Sequence, residues 1–426
     1  MRIAASGLVV VSALSLSLSF ALGCGCGDKK REGLPPAADW QPPPGSGAAG
    51  PVAVEMPEEI LARCAARAFV DDAARDGNMP EDVLDDLASV PDAGAVVLLR
   101  ALAAAAARLP NAEQQAMLLG GVGLRLAQRG DVEGARTPLR RALALLDRPA
   151  TNDMQRQLAS MSVARAGGRL ADPDAMARFG GDPTLAPYLA RGLAEAGHAE
   201  LADQTLARIA TFDRLDPFGA AEIAITLLAR GRFDEARARA AAAPVDQRVL
   251  GSLLLATAAV DARHPQARAL VDDAARLMDA DETVPSAEID LARIQLAVGD
   301  APGSAARRVR LRTAIAAEPD ADRARMTLYN LHVLATRAGA ADEAAALLGD
   351  LEARSAAPWM LALARGQSLA VTGKVKEAIA EVERIPADGA PPRGVIFVDA
   401  LASYLAAARD PELERWLTAH ICDGIE

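Results

Sequence analysis

The chain has 426 residues, a formal net charge of −11, 51% apolar residues and only 3% aromatic ones. That apolar share can bury an extended core, so the composition is that of a folded protein and not a disordered one. The acidic balance opposes a role on nucleic acid, where neutralising phosphates takes clustered Lys and Arg, and so few aromatics leave few platforms for stacked bases.

The chain opens with Arg2, an apolar stretch from Leu8 to Leu22 interleaved with serines, and then Ala21, Leu22, Gly23 and Cys24. This resembles a bacterial lipoprotein signal. The resemblance implies that residues 1–23 are removed, that Cys24 carries the lipid and anchors the protein to a membrane, and that the protein belongs to the cell envelope. Gly25 after the cysteine is compatible with onward sorting to an outer membrane. Lys29, Lys30 and Arg31 support a rival arrangement, because basic residues tend to hold the following segment in the cytoplasm; an uncleaved anchor would then carry a cytoplasmic adaptor. The apolar run is short for a spanning helix, which favours the cleaved signal. Residues 24–56 are dense in Gly and Pro, including Pro35, Pro36 and Pro42 to Pro44, and read as an extended tether.

From Pro57 to Glu426 the pattern is helical throughout, broken at Gly77 to Pro80 and at Pro91, Pro110, Pro149, Pro183, Pro217, Pro244, Pro285, Pro319, Pro358 and Pro386. Within it one spacing recurs: a glycine followed five residues later by an alanine. Gly130 and Ala135, Gly197 and Ala202, Gly231 and Ala236, Gly339 and Ala344, and Gly373 and Ala378 all keep it. Leucines or alanines recur before and after the glycine, as in LRLAQRGDVEGARTPLRRAL from Leu124. These segments resemble the tetratricopeptide repeat, in which one helix ends at a glycine and an alanine of the next lets the two pack closely. The resemblance implies an all-α, right-handed solenoid of antiparallel helix pairs over residues 57–426, of about ten pairs. The Gly-rich stretch between Pro149 and Pro183 reads as a degenerate copy, and Gly299 to Ser304 as a copy whose turn is lengthened by Pro302 and Gly303.

No residues recur at the spacing of a catalytic or metal site. His198 and His264 fall at turns, His332 falls in a helix core and His420 near the end. Cys64 and Cys422 stand in the first and last parts of the helical region, too far apart in an open array for a disulfide, and read as buried or free thiols. Arg307, Arg308, Arg310 and Arg312 read as a solvated outward face, with an anionic contact as the alternative.

In the family the first helix of each pair lines the concave surface. The resemblance therefore places a peptide groove at Met117, Leu124, Arg191, Ile225, Leu228, Met326, Tyr329, Met360, Leu363 and Gln367. These side chains are mostly apolar, and the expectation is a protein partner held by apolar contact; the alternative is that they pack between neighbouring pairs. The functional expectation is an interaction scaffold and not an enzyme, with no cofactor, no metal and no nucleic acid.

Overall fold

A computed structural model describes residues 57–76, 92–209, 217–243, 245–280, 285–372, 374–385 and 411–421. The expected signal, Cys24, the tether, Gly373 and Cys422 lie outside these residues. The described residues are all-α, with nineteen α-helices and no strand. They are α1 (Pro57–Asp76), α2 (Asp92–Ala105), α3 (Ala112–Gln128), α4 (Val132–Leu145), α5 (Asp153–Arg169), α6 (Pro173–Phe179), α7 (Ala186–Glu195), α8 (Ala199–Ile209), α9 (Pro217–Ala229) and α10 (Phe233–Ala241). The second half continues with α11 (Val245–Asp261), α12 (Ala267–Ala280), α13 (Pro285–Ala297), α14 (Ala301–Ile315), α15 (Ala321–Arg337), α16 (Ala341–Ala353), α17 (Pro358–Val371), α18 (Val375–Glu383) and α19 (Pro411–Ile421). Pro173, Pro217, Pro285 and Pro358 each begin a helix, where proline's missing N–H costs no hydrogen bond.

The turns that join the pairs share one geometry. Gly130, Gly197, Gly231, Gly299 and Gly339 all lie at positive φ, between 70° and 81°. The residue after each donates its backbone N–H five residues back: Asp131 to the Leu126 carbonyl at 3.0 Å, Arg232 to Leu227 at 2.9 Å, Asp300 to Gln295 at 2.8 Å. This satisfies carbonyls that the helix end would leave open. Two pairs lack the glycine but keep the turn: Ala171 and Arg263 sit at φ 46° and 50°, and Asp172 and His264 make the same reach to Gly167 and Ala259. The degenerate copy is thus a regular pair, α5 and α6. The turn at Gly299 is not lengthened either. Asp300 caps α14 by accepting from the Gly303 N–H, and Pro302 falls in the helix's first turn.

Each first helix packs on its second: α3 on α4, α9 on α10, α15 on α16. The small residue five after each turn is buried there, at Ala135, Ala202, Ala236, Ser304 and Ala344. The first helices α3, α5, α7, α9, α11, α13, α15 and α17 also touch one another in succession, and α4, α10, α12, α14 and α16 each reach the first helix of the following pair. Helices α5 and α7 approach closely. A Cβ on Gly192 would lie 2.1 Å from the Arg165 carbonyl oxygen, and one on Gly168 would lie 2.2 Å from that of Leu189. Only glycine allows backbones this near.

The two ends of the helical region meet. Helix α19 packs on α1 as well as on α18. Leu417 is fully buried in a core that includes Leu61, Ala65 and Phe69 of α1, while Trp416 borders both that core and the one formed by α14 to α17. Cys64 of α1 is disulfide-bonded. The expectation of a free thiol there rested on ends held apart, and the contact of α1 with α19 removes that premise.

Candidate functional site

The expected groove residues fall mostly inside the seams. Met117, Leu124, Ile225, Leu228, Met360 and Leu363 are buried, and Met326 is half-buried. Tyr329 and Gln367 are fully enclosed and bonded to each other, the Gln367 Nε2 donating to the Tyr329 hydroxyl at 3.1 Å. These side chains fill the space between successive first helices, because each of those helices has a neighbour on both sides. The apolar open surface expected there is therefore replaced by packing. Arg191 differs: its side chain is half-buried and belongs to a polar strip.

That strip can be located from helix geometry. Gly123 faces the second helix α4, since a Cβ there would meet the Ala135 carbonyl, and Arg125 lies two residues on, about 200° around the axis. In α5, Gly167 faces Ala175 of α6, and Arg165 and Arg169 lie two residues to either side. Arg125, Arg165 and Arg169 therefore point away from the second helices, on the face formed by first helices alone.

There the charges converge. The Glu195 carboxylate of α7 accepts from Arg165 Nη2 at 2.7 Å and Nε at 3.4 Å, and from Arg191 Nε at 2.8 Å. Arg169 approaches it to 3.8 Å. Arg191 also donates through Nη1 to Glu222 of α9 at 2.8 Å. Arg125 donates to Gln128 at 2.7 Å. Arg165, Arg169 and Arg191 keep only 15–20% of their side-chain surface exposed. Burial would raise the Glu195 pKa, but Arg165 and Arg191 outweigh it and hold the carboxyl down to about 2. Arg125 moves to about 10, first through burial and then through the like charge of Arg165. Three arginines thus share two glutamates on one face, with Arg125 beside them.

The basic run of α14 is built differently. Arg307 and Arg308 are 2% and 3% exposed and are inward-facing pillars, not a solvated face. Arg307 bonds Glu288 at 2.6 Å and Asp279 at 3.1 Å, and Arg308 grips Glu343 through two bonds of 3.0 and 2.9 Å. Helix phase decides this, since Ser304 takes the small position against α13 and turns the next two arginines inward. Arg310 and Arg312 remain largely exposed, each beside an aspartate.

His332 is a core residue. Its Nδ1 lies 3.0 Å from the Ala344 carbonyl and its Nε2 lies 2.9 Å from that of Ala364, with the Ser368 hydroxyl at 3.3 Å. Burial lowers its pKa. His264 stacks on Phe233 at the turn of its pair. A cleft of about 300 Å³ between α10, α11 and α12 has an apolar floor of Leu255, Leu270 and Leu277 under Arg237, Asp273 and Arg276. Among the described residues no group of three His, Cys, Asp or Glu side chains is placed to hold a metal, and no helix is long and apolar enough to cross a membrane. The chain matches no protein-family model, and comparison with curated proteins finds none similar to it.

Proposed function

We propose that the protein is a membrane-anchored interaction scaffold of the bacterial cell envelope. In this reading it is a tetratricopeptide-like solenoid, tethered by residues 24–56 to a lipidated Cys24, that takes a protein segment along the face of its first helices. The observation that carries the reading is the succession of first helices α3 to α17, each touching the next, which supplies one long surface drawn from many units. The recurring left-handed turn, present even where the glycine is absent, supports the repeat character. The disulfide at Cys64 supports export, since such bonds persist in oxidising compartments.

The test is capture in cells. Photo-reactive residues placed at Gln128 and Arg169 on the first-helix face should crosslink one partner, while the same residue at exposed Val132 on α4 should not. Mass spectrometry should find Cys24 acylated at a new N-terminus, and Cys24→Ala should release the protein from membranes. A crosslinking pattern equal on both faces, or a membrane-bound Cys24→Ala chain with Met1 intact, overturns the proposal.

A further inference from the structure

We infer that the cleft between α10, α11 and α12 is a binding site for a single aliphatic chain that ends in a carboxylate, of about the length of octanoate. The site goes beyond the scaffold reading and does not depend on it.

The cleft exists because one second helix is short. Ala241, the last residue of α10, lies ten residues after the turn at Gly231, and Asp273 of α12 lies ten residues after the turn at Arg263. Helix α12 then runs seven residues further, from Ala274 to Ala280, with no continuation of α10 beside it. Arg276 and Leu277 fall in that overhang, and the space left is about 300 Å³. At about 30 Å³ for a water-sized group, this holds on the order of ten non-hydrogen atoms, the number in octanoate.

The walls set the chemistry of the ligand's body. Leu255 and Leu270 are buried, Leu277 is half-buried, and Ala240 and Ala241 add methyl groups from α10. No aromatic side chain lines the cleft, so it offers dispersion contact to a flexible chain and no face on which a ring would stack. The polar groups set the head. Asp273 already accepts from Arg237 Nε and Nη2 and from Arg276 Nη2, so what the two guanidiniums have left to offer is N–H alone. Ser252 also lines the cleft; it is 7% exposed, and its hydroxyl has no hydrogen-bond partner among the described residues. Thr226 of α9 shows the usual alternative, since its hydroxyl donates back to the Glu222 carbonyl at 2.7 Å. An acceptor that meets both the guanidinium forks and the Ser252 hydroxyl satisfies this lining, and a carboxylate does so with the matching planar geometry. An ammonium head would set donors against donors.

The experiment titrates octanoate into the full chain bearing Cys24→Ala, so that no acyl chain of its own competes, and follows saturation transfer to the ligand by NMR. Octanoate should fill a single site with a Kd on the order of 1 mM. Hexanoate should bind roughly tenfold more weakly, at about fourfold per methylene, and chains longer than decanoate should gain nothing further because the cleft is full. Octylammonium, with the same chain and a donor head, should not bind. Ala241→Trp places an indole in the cleft from an exposed position and should abolish binding. Arg276→Gln, at a side chain 71% exposed, should weaken octanoate roughly tenfold and Ser252→Ala about fivefold, both at the parent's melting temperature. A merely structural role for Ser252 predicts the reverse, a lower melting temperature and unchanged affinity. No saturable binding, equal binding of octylammonium, affinity that keeps climbing past dodecanoate, or full affinity in all three folded variants overturns the inference. Tighter binding of acetyl-dileucine than of octanoate also overturns it, in favour of a protein C-terminus. The cleft lies against the second helices α10 and α12, so crosslinking from Gln128 and Arg169 on the first-helix face tests the scaffold reading separately.

Discussion

At the scale of single residues, charge matters most where water is excluded. Arg307 sits almost wholly inside the array beside Glu288, whereas Arg310, three residues on, is 53% exposed. Arg307→Met should cost about 3 kcal/mol, because it takes the buried guanidinium away from Glu288 and Asp279, and Arg310→Met should change stability by less than about 0.5 kcal/mol. Urea denaturation of the two variants makes the comparison. His332 makes stability depend on pH. Its folded pKa lies below the ordinary 6.5, so the unfolded chain takes up the proton first. Stability from neutral His332 is therefore complete above about pH 6.5 and declines as the pH falls through the folded value. His332→Gln should flatten that decline in urea midpoints between about pH 7 and pH 5. The positions of these residues were only partly legible in the sequence. His332 could be assigned to the core from its place in the repeat, but the inward turn of Arg307 and Arg308 needs the helix phase set by Ser304. The strip was hidden as well, since Arg125, Arg165 and Arg191 meet only through the stacking of three helices.

Helices and turns show which local rules were written in the sequence. A left-handed turn and a close helix contact are satisfied by glycine and alanine at fixed spacing, which is why Gly130, Gly197, Gly231 and Gly339 disclosed their pairs. Ala171 and Arg263 adopt the same backbone without a compositional mark, so the α5–α6 pair read as degenerate. Glycine serves two purposes here, and substitution separates them. Gly231 has positive φ and open space around its Cβ position, so Gly231→Ala should cost about 1 kcal/mol of backbone strain. Gly192 has ordinary φ but lies against the α5 backbone, and Gly192→Ala should cost about 3 kcal/mol by forcing α5 and α7 apart. Chemical denaturation should rank them in that order. Gly192→Ala should also disturb the Arg165 and Glu195 pair that bridges the same two helices.

For the molecule as a whole, the sequence carried the order of helices but not the meeting of the first with the last. Contact between α1 and α19 joins the first and last described helices, and no repeat spacing encodes it. Cys64, which is disulfide-bonded, lies on α1, one of the two helices of this junction. Cys422 directly follows Ile421, the last residue of α19, so non-reducing peptide mapping is expected to join Cys64 to Cys422 in preference to Cys24 or Cys26. Reduction should then lower the melting temperature, as Cys64→Ser should, and the two changes together should add nothing.

A chain whose first and last helices touch has no obligatory beginning. Circular permutation should therefore succeed: a short linker from the end of α19 to the start of α1, with new termini opened at the exposed turn around Arg232, preserves every helix contact described above. Such a permutant should show the parent's far-ultraviolet circular dichroism and a comparable urea transition. In an array with separated ends the same linker would have to span the length of the molecule, and folding would fail.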